Sequence, residues 1–545
     1  MKKKILSVFL AASMALSLTA CGSKATETAE TTAAATEAAK ETEAAKETEA
    51  AAAESSTPEE VDGGTFVMPL SADVKELISL ITSDDNIWQA LSPMWDMMWY
   101  ETNEGTNYYL AESYEISDDG LDYTVKLVEN AKWHDGEAID ADDLMFTLDA
   151  LMTIESGNNI SFPAGQTITY EKVDDYTVMI HLTEPCSFYS NELGRMTILP
   201  EHVYEGDPNI TGSEKNNAGI GSGPFKLTAW NKGESLVYER NDDYYRGAAK
   251  LDSIVMKVMP DAAVQEIAMQ NGEISMMRIT TQEQLDKFSG NDAFTVYNFS
   301  EARTNFLLLR VKDSVLEDVK ARQAFCYALN IPEIVEASFG SETFASVANS
   351  IFTPMTKYYN PDQTNYTQDL ELAKQLAEES GLAGKTLKYG YRTDRVGMED
   401  QALMVQQQLK EIGVEVELIS GTFGSGAINN DERDIDLDLI SNGANSLIGD
   451  PGTKNGTFGN SDKAQRNSGF SQEYRDAWKK ALTSTNEEDR AAAYKDVQAL
   501  LGDCYCFIPT SQPNYVFVAS SQFGGLDVHE TVMLFQDYCE LYQVK

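Results

Sequence analysis

Apolar positions recur at two spacings along most of the chain, and both patterns begin only near residue 61. From Leu121 to Val128 they alternate, with Tyr123, Val125 and Leu127 on one face, which predicts a half-buried strand. From Ala141 to Thr153 the intervals are helical, at Leu144, Leu148 and Leu151. Asp140 suits the N-cap of that helix, and Asp142 and Asp143 lie in its first turn, where the dipole favours negative charge. Further helices are predicted over 316–329, 369–379 and 401–412. The last ends at Gly413 and passes directly into a strand at Val414-Glu415-Val416-Glu417-Leu418. Short strands are expected at 64–68, 225–227 and 387–391, and 434–440 alternates strictly and reads as another. Strands alternating with helices imply an α/β fold with βαβ units and largely parallel sheets.

Upstream of residue 61 neither pattern exists. Lys2, Lys3 and Lys4 precede an uncharged, mostly apolar run from Ile5 to Ala20, too short for a bilayer-spanning helix and suited to a signal peptide over 1–20. Leu18-Thr19-Ala20-Cys21-Gly22 closes it with small residues before a cysteine, which resembles the lipobox of bacterial lipoproteins. That resemblance implies cleavage before Cys21 and lipidation of its thiol, so that acyl chains anchor the protein to the outer face of the cell membrane. Residues 21–62 are an acidic low-complexity tether, mostly Ala, Thr, Glu and Lys, with no aromatic and almost nothing large and apolar from which to build a core.

Composition narrows the possible functions. The 545 residues carry 42 Lys+Arg against 87 Asp+Glu, a formal net charge of −45. Such a chain does not bind nucleic acid non-specifically, because that requires cations to displace the counterions of phosphate. Hydrophobic residues are 42% and aromatics 10%, sufficient to fill real cores. Beyond Cys21 there are five cysteines, at 186, 326, 504, 506 and 539. Cys504 and Cys506, taken as same-face strand positions, are expected not to bridge, and the set reads as mostly buried small hydrophobes.

Searches for catalytic and metal chemistry return little. The four histidines show no HExxH spacing, and no GxSxG elbow, CxxC pair or Cys/His cluster occurs, so no metal or cofactor is expected. Gly381-Leu382-Ala383-Gly384-Lys385-Thr386 has its glycines too close for a phosphate-cradling loop and reads as a helix end and turn. Asp434, Asp436 and Asp438 lack the glycine and distal glutamate of a calcium loop. Gly219-Ile220-Gly221-Ser222-Gly223-Pro224 precedes a strand, where a dinucleotide site requires a helix.

Five segments in order resemble the peptide/nickel-type extracytoplasmic solute-binding proteins of ABC importers, family 5. They are Leu110 to Gly120 with Lys132-Trp133-His134-Asp135-Gly136-Glu137, Gly221 to Phe225 with Glu239 to Tyr245, Asp318 to Phe325 with Ala328-Leu329-Asn330, Tyr359-Asn360-Pro361, and Leu409 to Val414. The resemblance covers essentially all of 63–545. It implies a two-lobed, type II periplasmic-binding-protein-like fold with an inserted subdomain. Lobe I would comprise 63–100, 219–300 and 511–545, the insert 101–218 and lobe II 301–510. It further implies a monomeric receptor without a reaction of its own, closing on solute and delivering it to a permease driven by ATPase subunits. His134 reads as a structural hydrogen-bonding residue within a turn.

The resemblance also indicates site positions. Arg392 stands where dipeptide-binding members hold the peptide carboxylate, with Arg395 as a competitor, and Phe423 stands at an aromatic position after the next strand. Where those members place an aspartate for the peptide α-amino group, this chain has Asn442-Gly443-Ala444-Asn445, with Asn445 at the aspartate's position. An amide supplies no counter-charge to ammonium; Asp450 or the Asp84-Asp85 loop is a substitute. Asp84, Asn86 and Trp88 fall in the first-lobe site loop. The expected solute is an oligopeptide, with an oligosaccharide or other neutral solute as the alternative. A secreted hydrolase and a receptor that signals without transport are the alternatives of other classes.

Overall fold

The computed structural model describes residues 60–545 except 82–83, 102–104, 155–158, 364, 394, 422–436, 445–447, 460–468 and 527–536. The leader, Cys21, the tether up to residue 59, Phe423 and Asn445 lie outside the described residues.

The first strand, β1 (Thr65–Leu70), buries Phe66, Met68 and Leu70, every second residue. Helix α1 (Asp85–Leu91) follows. The chain then builds a separate antiparallel sheet from β2 (Ala111–Ile116), β3 (Asp122–Leu127), β4 (Thr169–Asp174) and β5 (Thr177–His181), in the order β2-β3-β5-β4. Tyr123, Val125 and Leu127 are buried, as their alternation predicts. Helix α2 (Ala141–Met152) packs on this sheet, and Asp140 caps it by accepting from Asp142 N at 2.9 Å, while Asp143 answers as the other half of a capping box.

The chain returns through β6 (Phe225–Asn231), β7 (Ser235–Arg240) and β8 (Ser253–Val258), with β8 beside β1, giving the order β1-β8-β7-β6. That return requires glycine. A Cβ on Gly221 would lie 1.9 Å from Met94 O, and one on Gly223 would lie 2.7 Å from Met94 C. His134 holds the same crossing: its Nδ1 accepts from Gly221 N at 3.2 Å, and its Nε2 donates to Gly223 O at 3.0 Å. This is the structural role expected of it.

The largest sheet uses β9 (Met276–Ile279), β10 (Phe294–Ser300), β11 (Thr304–Leu309), β12 (Ala345–Val347), β13 (Thr386–Arg392), β14 (Glu415–Gly421), β15 (Leu439–Ala444) and β16 (Phe507–Ser520). Its path is β9-β16-β11-β15-β13-β14, with β10 and β12 also paired to β16. Between the strands run α3 (Val319–Ala328), α4 (Leu370–Ser380), α5 (Met398–Lys410), α6 (Gln472–Thr483) and α7 (Glu487–Asp503). The apolar faces of α3, α4 and α5 and one face of the sheet form a core that includes Leu307, Phe325, Leu376, Tyr389 and Leu409, while α6 and α7 bury Trp478, Tyr494 and Val497 in another that includes Phe306 and Phe507.

Three expectations are corrected. The sheets are not largely parallel: β1 with β8, and β13 with both β14 and β15, are parallel, while the other pairings of these sheets are antiparallel. The antiparallel pairs arise from hairpins such as β6–β7 and from the returning strand β16, which pairs antiparallel with β9, β10, β11 and β12. Of the strand predicted at 434–440, residues 434–436 lie outside the described residues; Leu437 and Asp438 precede the observed strand, which is Leu439–Ala444 and is buried on both faces, so strict alternation does not mark it. Cys504 and Cys506 form a disulfide with Cα atoms 5.4 Å apart. They are not strand neighbours, because Cys504 caps α7 and Tyr505 turns the chain at φ 51° before β16 begins. Cys186 and Cys326 are free and buried, as expected.

Candidate functional site

Parallel pairing fixes where the site residues fall. Tyr389 and Gly390 of β13 face Leu439 and Ile440 of β15, so both strands run out at the same edge of the large sheet. Arg392 ends β13, half-buried and paired with Gly421 of β14. Asn442, Gly443 and Ala444 end β15, set against Phe306, Asn305 and Thr304 of β11. The structure therefore brings Arg392 and Asn442–Ala444 to one edge. Asn442 is nearly buried, and its side-chain oxygen accepts from Gly443 N at 2.8 Å. Open sheets offer ligand crevices at the carboxyl ends of parallel strands.

The 84–88 segment arrives from the first sheet. Asp84 is the N-cap of α1, accepting from Asn86 N at 2.9 Å. Asn86 in turn accepts from Ser71 N, Ser71 Oγ and Ala72 N, between 2.9 and 3.2 Å, which ties the turn after β1 to the helix. Trp88 lies half-buried on α1. These hydrogen bonds of Asp84 and Asn86 are local scaffolding, and Asp85 reaches across, its Oδ2 lying 3.6 Å from a guanidinium nitrogen of Arg395, just past β13. Asp450, expected as a substitute counter-charge, is buried and already engaged: it accepts from Tyr494 OH at 2.7 Å and from Gly452 N at 2.8 Å.

Sequence reasoning missed a charged cluster beside this edge. Glu301 and Arg303 immediately precede β11 and are both almost wholly buried, with Ala302 between them at φ 47°. Glu301 pairs with Arg303 through one carboxylate oxygen and with Arg278 of β9 through the other. Arg278 also lies over the Tyr515 ring, 4.8 Å from its centroid. Burial pulls the Arg303 guanidinium down to about 10; Glu301 opposes this, and Arg395 and Arg278 reinforce it as like charges. The available signal was the pair of charges abutting the apolar run of β11, since charges at such a boundary are seldom buried without a purpose.

The chain matches the model of bacterial extracellular solute-binding proteins, family 5 Middle, over residues 106–466. It belongs to that family. The oligopeptide-binding protein AppA of Bacillus subtilis is similar to it, 29% identical over 67% of this chain and 70% of its own. The dipeptide-binding protein of Escherichia coli is 26% identical over 72% of this chain and 78% of its own. Among solved structures, the ABC transporter substrate-binding protein CtaP of Listeria monocytogenes superposes with a TM-score of 0.79 at 30% identity, covering 89% of this chain and all of that one. The family chain thus has the expected two-lobed α/β fold, and its class is that of solute receptors outside the cytoplasm. Among the described residues no helix is long and apolar enough to cross a membrane, and no group of three or more His, Cys, Asp or Glu side chains is placed to hold a metal ion.

Proposed function

We propose that this chain is the lipid-anchored, peptide-capturing subunit of an ABC importer, which closes its two lobes on an oligopeptide and hands it to a permease with ATPase subunits. The observation that carries the reading is Arg392, at the edge where β13 and β15 end, in a chain whose relatives include oligopeptide- and dipeptide-binding proteins. A planar guanidinium there suits a peptide carboxylate, held by two parallel hydrogen bonds. Phe423, Asn442 to Asn445 and Trp88 would line the remainder, with lobe boundaries as set out from the sequence. Cys21 would hold the lipid, and the acidic tether would lift a monomeric body off the membrane.

A second reading, an oligosaccharide or other neutral solute, is favoured by the sequence: Asn445 puts an amide where peptide-binding members of the family have an aspartate. Thermal-shift screening with peptide and oligosaccharide libraries, followed by calorimetry on the hits, separates the two. Stabilisation by sugars alone removes the peptide reading. If peptides bind, Arg392→Ala is expected to cost roughly 3 kcal/mol of binding free energy; unchanged affinity removes the role of Arg392.

A further inference from the structure

Around Glu301, the ion pairs among the described residues join three guanidiniums, those of Arg278, Arg303 and Arg395, to the carboxylates of Glu301 and Asp85. One carboxylate serves two of the arginines, since Arg278 and Arg303 divide the two oxygens of Glu301. Each of these two still has a buried Nε with no hydrogen-bond partner among the described residues. A buried guanidinium left with excess positive charge and idle donors is costly, so a purely structural cluster would be expected to carry a carboxylate for each cation. Arg278 and Arg395 remain partly open, with side chains 35% and 23% exposed, which leaves the cluster reachable from solvent.

The surrounding backbone makes room for it. Gly443 of β15 faces Asn305 of β11, and a Cβ there would lie 2.8 Å from Asn305 Oδ1 and 3.0 Å from Arg303 Cδ. The missing side chain lets the Arg303 stem lie across the strand pair at the edge that also carries Arg392.

We infer that Arg278, Arg303 and Arg395 form a second anionic subsite, which takes a side-chain carboxylate of the solute, so that the receptor's substrate is an acidic peptide. This rests on the solute-receptor reading and specifies its solute. An incoming carboxylate balances the cluster's charge and takes up its free donors, and charge-assisted hydrogen bonds of this kind are the strong ones.

The test is calorimetry on the intact receptor with peptide pairs identical except for Asp against Asn, or Glu against Gln. The acidic member is expected to bind at least about tenfold tighter, and Arg395→Gln and Arg303→Gln should each abolish most of that preference. Equal binding of each pair by the unaltered protein overturns the inference without needing a variant that folds, and leaves the peptide reading standing. If no peptide binds, that reading fails on its own terms, and the comparison is run with glutarate against its monoamide. Preference for the dicarboxylate still carries the subsite, and no preference overturns it.

Discussion

His134 makes its two hydrogen bonds to the glycine crossing only as a neutral ring, with Nε2 donating and Nδ1 accepting. Burial accordingly pulls its pKa from 6.5 down to about 4. The unfolded chain takes up the proton first as pH falls, so this contribution is complete above pH 6.5 and is lost progressively between 6.5 and 4. Asp96 behaves oppositely. Burial pushes its carboxyl from 3.8 up to about 7, against the opposing hydrogen bond from Tyr244. Its contribution is present below pH 3.8 and is lost as pH rises to 7. Because the two windows overlap, these contributions largely offset each other in the unaltered protein and are separated by substitution. Relative to the unaltered protein, His134→Gln should shift the stability profile to favour the acid end, and Asp96→Asn should shift it to favour the neutral end, each by up to about 3 kcal/mol over its window. Parallel profiles for all three proteins would refute the assignment.

At the scale of elements, α2 shows what sequence conveys well. Its periodicity, its Asp140 cap and its acidic first turn are all local, and the structure reproduces them; Asp140→Ala should lower stability by about 1 kcal/mol in urea denaturation. The β11–β15 pair shows what sequence conveys badly. Leu439–Ala444 is covered on both faces, so no alternation marks its extent, and the alternation of 434–440 stops short of Ala444. That Arg392 and Asn442–Ala444 stand at strand ends followed from the family resemblance, which places them after these strands. Arg278, Glu301 and Arg303 were not legible, because β9, β10 and β11 come together only through β16, more than 200 residues downstream. The Cys504–Cys506 bridge was hidden by a single positive φ at Tyr505. Gly443→Ala tests the strand pair directly. Its Cβ must displace Asn305 or Arg303, so solute affinity should fall by more than the free energy of unfolding does, as read by calorimetry against denaturation of the same samples.

For the whole molecule, a solute that touches both lobes stabilises the folded state by mass action, by about 2.7 kcal/mol at a hundredfold excess over its dissociation constant. A higher melting temperature should accompany a smaller radius of gyration in solution scattering; a rise in the first without a change in the second would argue against closure. The Asp85–Arg395 pair, more than half exposed on the aspartate side, is worth at most about 1 kcal/mol and cannot hold the lobes shut unaided. Cys21→Ser should release the protein from membranes into the soluble fraction, and continued retention would refute the lipid anchor. Strand β16 bears on assembly as well as on shape. One 14-residue strand closes against β9, β10, β11 and β12, and contacts such as Asn305 to Ser511 span 206 residues of sequence. Pairing over such distances is entropically slow, because a long loop must close before any contact rewards it. Until β16 docks, its partners present open hydrogen-bonding edges, and a nascent or truncated chain lacking Phe507–Ser520 is an aggregation template in place of a smaller receptor.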